Sequence, residues 1–270
     1  MIGHAVQDVR RFLVTHVHGD HYSLASRVRS ITGAETYLGE GERQSLRAIT
    51  EADIDERMRQ ALRDAGAQTL ADSWEPHELG TPDSWADPSA WIKDGHEIDL
   101  GNRTLLTVTT PGHTLGHCIF VDPSTALTFT GDHVLPRITP SVGFEAFIRD
   151  NPLRDYIRSL QRLLTRPDTR LLPAHGDPCD STHARVSELL AHHESRLAET
   201  LAAAAGAGPS TPFEIAARLT WTRRRRSFTA LGPNDASLAT METRAHLEAL
   251  CDRLLVHKVS TDARDAYAVA

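Results

Sequence analysis

Thr15-His16-Val17-His18-Gly19-Asp20-His21 brings three imidazoles and a carboxylate together within a few residues, directly after the apolar run Phe12-Leu13-Val14. If that run is a strand ending here, His16 and His18, two apart, point to the same side. Gly19 lets the backbone turn, so that Asp20 and His21 present a second cluster beside the first. Neutral imidazole and carboxylate form the ligand set that suits zinc and its first-row relatives. In a chain with 15 histidines an accidental loop cluster is the competing reading. More distant partners decide between the two.

Those partners recur at strand ends. Leu105 to Thr109 reads as a strand and runs into Pro111-Gly112-His113-Thr114-Leu115-Gly116-His117. Ala126 to Thr130 ends in Gly131-Asp132-His133, and Leu171-Leu172 leads to Pro173-Ala174-His175-Gly176-Asp177. With the first cluster this makes four apolar runs that stop where a Gly-containing loop delivers a His or an Asp. Loops on a rigid sheet are where functional groups are placed, so the elements and the chemistry point the same way.

The succession HxHxDH, Gly-His, Gly-Asp and Gly-flanked His resembles the metallo-β-lactamase-fold hydrolase superfamily, over residues 9 to about 200. The resemblance implies an α/β chain with a four-layer αβ/βα fold and a dinuclear metal site. Zinc is the implied metal, two ions per chain, with manganese or iron as alternatives. Carried over by position, His16, His18 and His113 are ligands of a first ion. Asp20, His21 and His175 are ligands of a second, and Asp132 bridges the two. His117 and His133 match the motif contexts without being usual ligands, and are read as orienting partners or pocket residues. The implied nucleophile is water, as a metal-bridging hydroxide; Asp20 orients it and is the implied acceptor of a proton.

Substrate class is less tightly bound, because fold does not settle function. A small-molecule acyl substrate, a thioester or lactone, comes first, because the protein is acidic. An endoribonuclease is the alternative, and a nucleic-acid-binding protein with a structural metal site is the non-enzymatic one. Arg137, in the Pro-rich stretch 134–140, is a candidate for holding an anionic substrate group; a plain surface arginine is the other reading.

The balance of 29 basic against 36 acidic residues gives a net charge of −7. That argues against a generally cationic nucleic-acid binder and leaves room for a local basic patch. Cys118, Cys179 and Cys251 are odd in number and far apart, as free thiols of a reducing compartment are. No stretch approaches the roughly 20 apolar residues of a membrane span, and no secretion signal opens the chain. A cytoplasmic protein without membrane contact is expected.

Along the chain, Val9 to Val14 is the first expected strand. Leu24, Val28 and Ile31 form a helical stripe that Gly33 closes. Ala34 to Leu38 reads as a strand and Ala52 to Gly66 as a surface helix. Residues 71–92, with Trp74, Trp85 and Trp91, suit either a lid or a Trp-capped core edge. Asn151-Pro152 and Ser181 open helices. Gly206-Ala207-Gly208-Pro209 is the expected boundary between a catalytic domain, 1–206, and a smaller domain, 207–270. In the latter, Thr211-Pro212 caps a helix, Ser237 to Leu255 holds two helical stretches, and a hairpin around Asp262 ends the chain. That order resembles the winged-helix-like appendage of one branch of the superfamily, which includes β-lactamase-like endoribonucleases and thioesterase-like proteins. The run Arg223–Arg226 between the helices is a solvated loop or, with RNA as partner, a phosphate contact.

Only 15 residues precede His16, whereas the resemblance implies further strands ahead of the motif. The expectation is therefore a fold lacking its first strands. Either the sequence starts late, or a partner, such as a second copy in a homo-oligomer, supplies the missing edge.

Overall fold

A computed structural model describes residues 5–51, 53–75, 82–147, 149–206, 208–261 and 264–270. Strands β1 (Arg11–Leu13), β2 (Glu35–Gly39) and β3 (Ala90–Ile92) form a parallel sheet in the order β1-β2-β3. Helix α1 (Gly19–Thr32) makes the first crossover. Helices α2 (Glu42–Thr50), α3 (Ile54–Asp64) and α4 (Gln68–Asp72) lie between β2 and β3 in the chain. Strands β4 (Glu97–Asp99), β5 (Thr104–Thr109), β6 (Cys118–Asp122), β7 (Leu127–Gly131) and β8 (Arg170–Pro173) form a second sheet in chain order. It is antiparallel up to β7; β8 then pairs with β7 in parallel, after helix α5 (Pro152–Leu164). All five residues of β6 are buried, as a strand covered on both faces requires. Ile92, Ile98, Leu105, Cys118 and Phe120, with Leu13 and Tyr37 packed on them, join the two sheets in one apolar core. This is the mixed α/β architecture expected from the motif order.

The remaining elements are α6 (Thr182–Ala204), α7 (Pro212–Ala216), β9 (Thr220–Trp221), β10 (Arg226–Ser227), α8 (Pro233–Asp252), β11 (Val256–Thr261) and β12 (Arg264–Val269). The expected hairpin is present as the antiparallel pair β11–β12, though Asp262 lies outside the described residues. The two helical stretches expected over 237–255 are instead one helix, α8. Thr211 caps α7, accepting the Glu214 backbone N–H while the Glu214 carboxylate accepts the Thr211 N–H. The four arginines 223–226 fill the turn into β10 and are exposed.

By compactness the chain divides into one unit of Met1–Glu51, Glu78–Pro140 and Arg158–Ser187, and another of Ala52–His77, Ser141–Ile157 and Glu188–Ala270. This differs from a cut at 206, where Gly-rich composition alone places it. The reason is long-range packing: Ala61, Leu62, Ala65, Ala67 and Ala71 share an apolar cluster with Met241 and Phe213. The second half of α6 also belongs there, since Arg196 donates to the Thr220 carbonyl. The first unit carries both large sheets.

Helix α1 departs from its sequence pattern in two ways. It starts at Gly19, so Asp20 and His21 sit on its first turn rather than on a glycine-enabled loop. Its apolar stripe also faces outward: Leu24 is 63% and Ile31 68% exposed. The buried face is Tyr22, Ala25 and Ser26. Tyr22 fixes this rotation by stacking on Trp85 and donating its hydroxyl to the Ala86 carbonyl. Trp85 thus caps the core; part of the expected lid, 76–81, lies outside the described residues. Gly33, at φ 71°, closes the helix as expected.

Candidate metal centre

Four chain segments of the first unit deliver the chemistry. The backbone beyond β1 carries His16 and His18, and the first turn of α1 carries Asp20 and His21. The loop after β5 carries His113 and His117, β7 ends in Gly131-Asp132, and β8 leads to His175. The loop after β5 is bolted at several points. Arg162 of α5 grips the Asp94 carboxylate at 2.6 and 2.9 Å, and Asp94 accepts the Thr109 N–H at 2.8 Å. Ser159 donates to the Pro111 carbonyl at 2.8 Å. Gly131 lies so close to β1 that a Cβ there would meet Thr15 Oγ1 at 2.6 Å.

Three nitrogens converge at the first cluster. His16 Nε2 and His113 Nε2 each lie 3.0 Å from His18 Nδ1. At the second, His175 Nε2 is 3.2 Å and His21 Nε2 3.4 Å from Asp20 Oδ2. Asp132 stands between: its Oδ1 is 3.6 Å from both His21 Nε2 and His175 Nε2, and its Oδ2 is 3.8 Å from His113 Nε2. The first group is buried or half-buried, whereas Asp20 and His175 face solvent. All seven residues singled out from the sequence as ligands are thus brought together.

Charge and hydrogen bonding suit a cation here. Burial holds His16 and His18 well below the usual imidazole range, and the neighbouring imidazoles add to the effect. Both rings are therefore neutral at ordinary pH, the form in which an imidazole can bind a metal. His21 Nε2 and Asp132 Oδ1 are buried yet have no hydrogen-bond partner among the described residues. Orphaned buried polar atoms are costly unless something outside the protein chain satisfies them. A tetrahedral ion with bonds of about 2.0–2.1 Å would hold its ligand atoms roughly 3.3 Å apart, close to the spacing found. The donor set fits zinc or a related first-row ion.

His117 has a different task. Its Nε2 accepts the Asp132 backbone N–H at 3.2 Å, so its proton is on Nδ1 and is donated to Thr110 Oγ1 at 2.8 Å. Both ring nitrogens are thereby occupied, and the ring holds Asp132 in place. Burial keeps His117 well below the ordinary range and lowers His133 to about 3. His133 is fully buried beside His117. The sequence alone assigns no role to Thr110 or to Thr15, which hydrogen-bonds His16 at 3.0 Å. Their signal was a threonine at a strand end next to each His motif. Arg137 is exposed and lies 3.5 Å from Asp177. A cavity of about 500 Å³ is lined by Asp20 and His21 and by apolar residues including Leu13, Leu105, Phe120 and Leu172.

A family model described as the metallo-beta-lactamase superfamily matches residues 2–175. The chain is similar to a metallo-beta-lactamase family protein of Thermus thermophilus, with a TM-score of 0.79 and 28% identity; the match covers 100% of this chain and 82% of that one. It is likewise similar to a beta-lactamase domain protein of Burkholderia ambifaria, with a TM-score of 0.75 and 29% identity over 97% and 74% of the two chains. A Bacillus subtilis protein described as a probable metallo-hydrolase is 28% identical over 163 residues, 59% of this chain and 48% of that protein. A Caenorhabditis elegans beta-lactamase-like protein 2 homolog is 33% identical over 112 residues, 41% and 35%. The chain thus spans less than half the length of these two curated relatives.

Proposed function

Because the chain belongs to the metallo-beta-lactamase superfamily, we propose that it is a metal-dependent hydrolase of a small acyl substrate, a thioester or lactone. The observation that carries this reading is the convergence of seven imidazole and carboxylate side chains, among which the buried His21 Nε2 and Asp132 Oδ1 lack a hydrogen bond among the described residues. His16, His18 and His113 hold one ion, Asp20, His21 and His175 a second, and Asp132 lies between them. Zinc is our first choice, with manganese or iron as alternatives. Two such ions supply a water acidic enough to be ionised at neutral pH and a positive charge that polarises a carbonyl or phosphoryl oxygen. The protein's own part is to arrange groups around that chemistry. Asp20, exposed on the first turn of α1, orients the attacking water and accepts its proton. His117 keeps Asp132 in register, and His133 packs behind His117. Arg137 is the candidate anchor for an anionic substrate group. The apolar cavity beside Asp20 and His21 favours an acyl chain over a polyanion.

The exposed Arg223–Arg226 turn supports a second reading, endoribonuclease action with residues 207–270 as a winged-helix-like element. A panel of acyl-thioesters, lactones and structured RNA, assayed with zinc or manganese, tests both. Turnover of acyl substrates without RNA cleavage is expected. Cleavage of RNA alone would overturn the acyl reading, and no turnover of any class with metal bound would overturn the hydrolase.

A further inference from the structure

Glu42, the first residue of α2, is a carboxylate with no solvent exposure, and no chemistry described so far uses it. Burying a carboxylate is costly unless specific partners repay it. One partner is the Thr114 hydroxyl, itself fully buried, which donates to Glu42 Oε1. Thr114 directly follows His113, whose Nε2 meets His18 Nδ1.

The backbone around this bond has no slack. A Cβ on Gly41 would come within 2.7 Å of Gly116 Cα, and one on Gly116 would strike the Glu42 backbone nitrogen. One on Gly39 would strike the Gly116 carbonyl oxygen. Glycines at 39, 41 and 116 thus let the turn before α2 touch the His113 loop main chain to main chain. The loop is clamped on its other side by Ser159 at Pro111 and by Arg162 and Asp94 at Thr109. Between those clamps and the strand that follows, the Glu42 carboxyl group meets the residue next to His113.

We propose that Glu42 is a positioning residue of the metal centre, fixing through Thr114 the loop that presents His113. The inference rests on His113 being a ligand of the first ion. Glu42 touches neither ion nor substrate. An acceptor at this place pins the Thr114 side chain in one rotamer, and with it the backbone from which His113 projects. A neutral acceptor of the same shape would do the same; an apolar group would not.

The test is titration of the protein with Co²⁺ and Zn²⁺, following visible Co²⁺ absorption and the affinity of each site, with circular dichroism and melting temperature alongside. The variants are Glu42→Ala, Glu42→Gln, Thr114→Val and Thr114→Ser. Glu42→Ala and Thr114→Val should weaken one of the two ions by about 10–100-fold and alter its Co²⁺ spectrum, leaving the other within about threefold. Glu42→Gln and Thr114→Ser, which keep the hydrogen bond, should restore both. Should Glu42→Ala not fold, the near-isosteric Thr114→Val carries the comparison. A lowered melting temperature with unchanged metal affinities in a folded Thr114→Val protein would overturn the proposal, as would equal weakening of both ions. A parent protein that binds no metal would instead overturn the hydrolase reading on which it rests.

Discussion

Among the described residues, two groups of buried histidines lie one in each compact unit, and they are wired differently. In the first unit, the ring nitrogens of His16, His18 and His113 point at one another, and beside them Asp132 Oδ1 and His21 Nε2 lack hydrogen bonds among the described residues. In the second, the rings form a relay. His246 Nδ1 donates to the Glu242 carbonyl at 2.7 Å, so its Nε2 is free to accept from His193 Nδ1 at 3.4 Å. The rings of Tyr156 and His192 pack against His193. Histidine clustering alone therefore separates nothing. What separates a ligand set from a packing set is whether lone pairs converge on a common point with carboxylates; His193 Nε2 also lacks a hydrogen bond, but among the described residues no such cluster surrounds it.

The largest contrast comes from removing a member of each group. Asp132→Ala or His113→Ala should release metal and lower hydrolysis by more than the roughly 10–100-fold that loss of an outer partner costs. His193→Ala should leave metal content unchanged and lower only the melting temperature. Retained activity with two bound ions in Asp132→Ala would erase the distinction. A milder effect within the first unit is expected of His117→Ala, which frees the Asp132 backbone N–H: metal affinity should fall about 10–100-fold while the ion is still bound at saturation. Isothermal titration of the folded variant measures it.

Acid separates the units by another route. Burial lowers His246 to about 4 and holds His193 well below the ordinary range, with His192 and Arg196 adding positive charge nearby. A histidine whose folded pKa is depressed favours folding above its unfolded value near 6.5. Below that value the unfolded chain takes up a proton that the folded one resists, so the contribution is lost as pH falls from about 6.5 to about 4. The loss is on the order of 3 kcal/mol for His246. His246→Gln, whose amide can still donate to the Glu242 carbonyl, should flatten that slope in urea melts across this range. An unchanged slope would remove the pair from the acid response. The smallest effect is expected from Arg223–Arg226→Ala: acyl turnover unchanged, and any RNA binding by the parent lost with its salt dependence.

The candidate metal cluster was legible because strand-end loops bring their residues together wherever the strands pair in order, and β4 to β8 do so consecutively. Asn151-Pro152, Gly33 and the Thr211 cap were legible for a local reason: each signal lies within one turn of the element it sets. What escaped depends on distant partners. The outward face of α1 follows from Tyr22 meeting Trp85 and Ala86, more than sixty positions away, and no helical periodicity encodes that. The interlock of Gly39, Gly41 and Gly116 is invisible until β2 and the loop after β5 come together. The division into units likewise follows from Ala61 and Leu62 sharing a cluster with Met241, not from the Gly-rich stretch at 206.

We expect the first unit's donors to hold two ions and the second unit's histidines none. Metal analysis of protein purified without chelator tests it directly. About two transition ions per chain, unchanged in His193→Ala and lost in Asp132→Ala, are expected; a well-folded parent with none, and no gain in melting temperature on adding zinc, would contradict it.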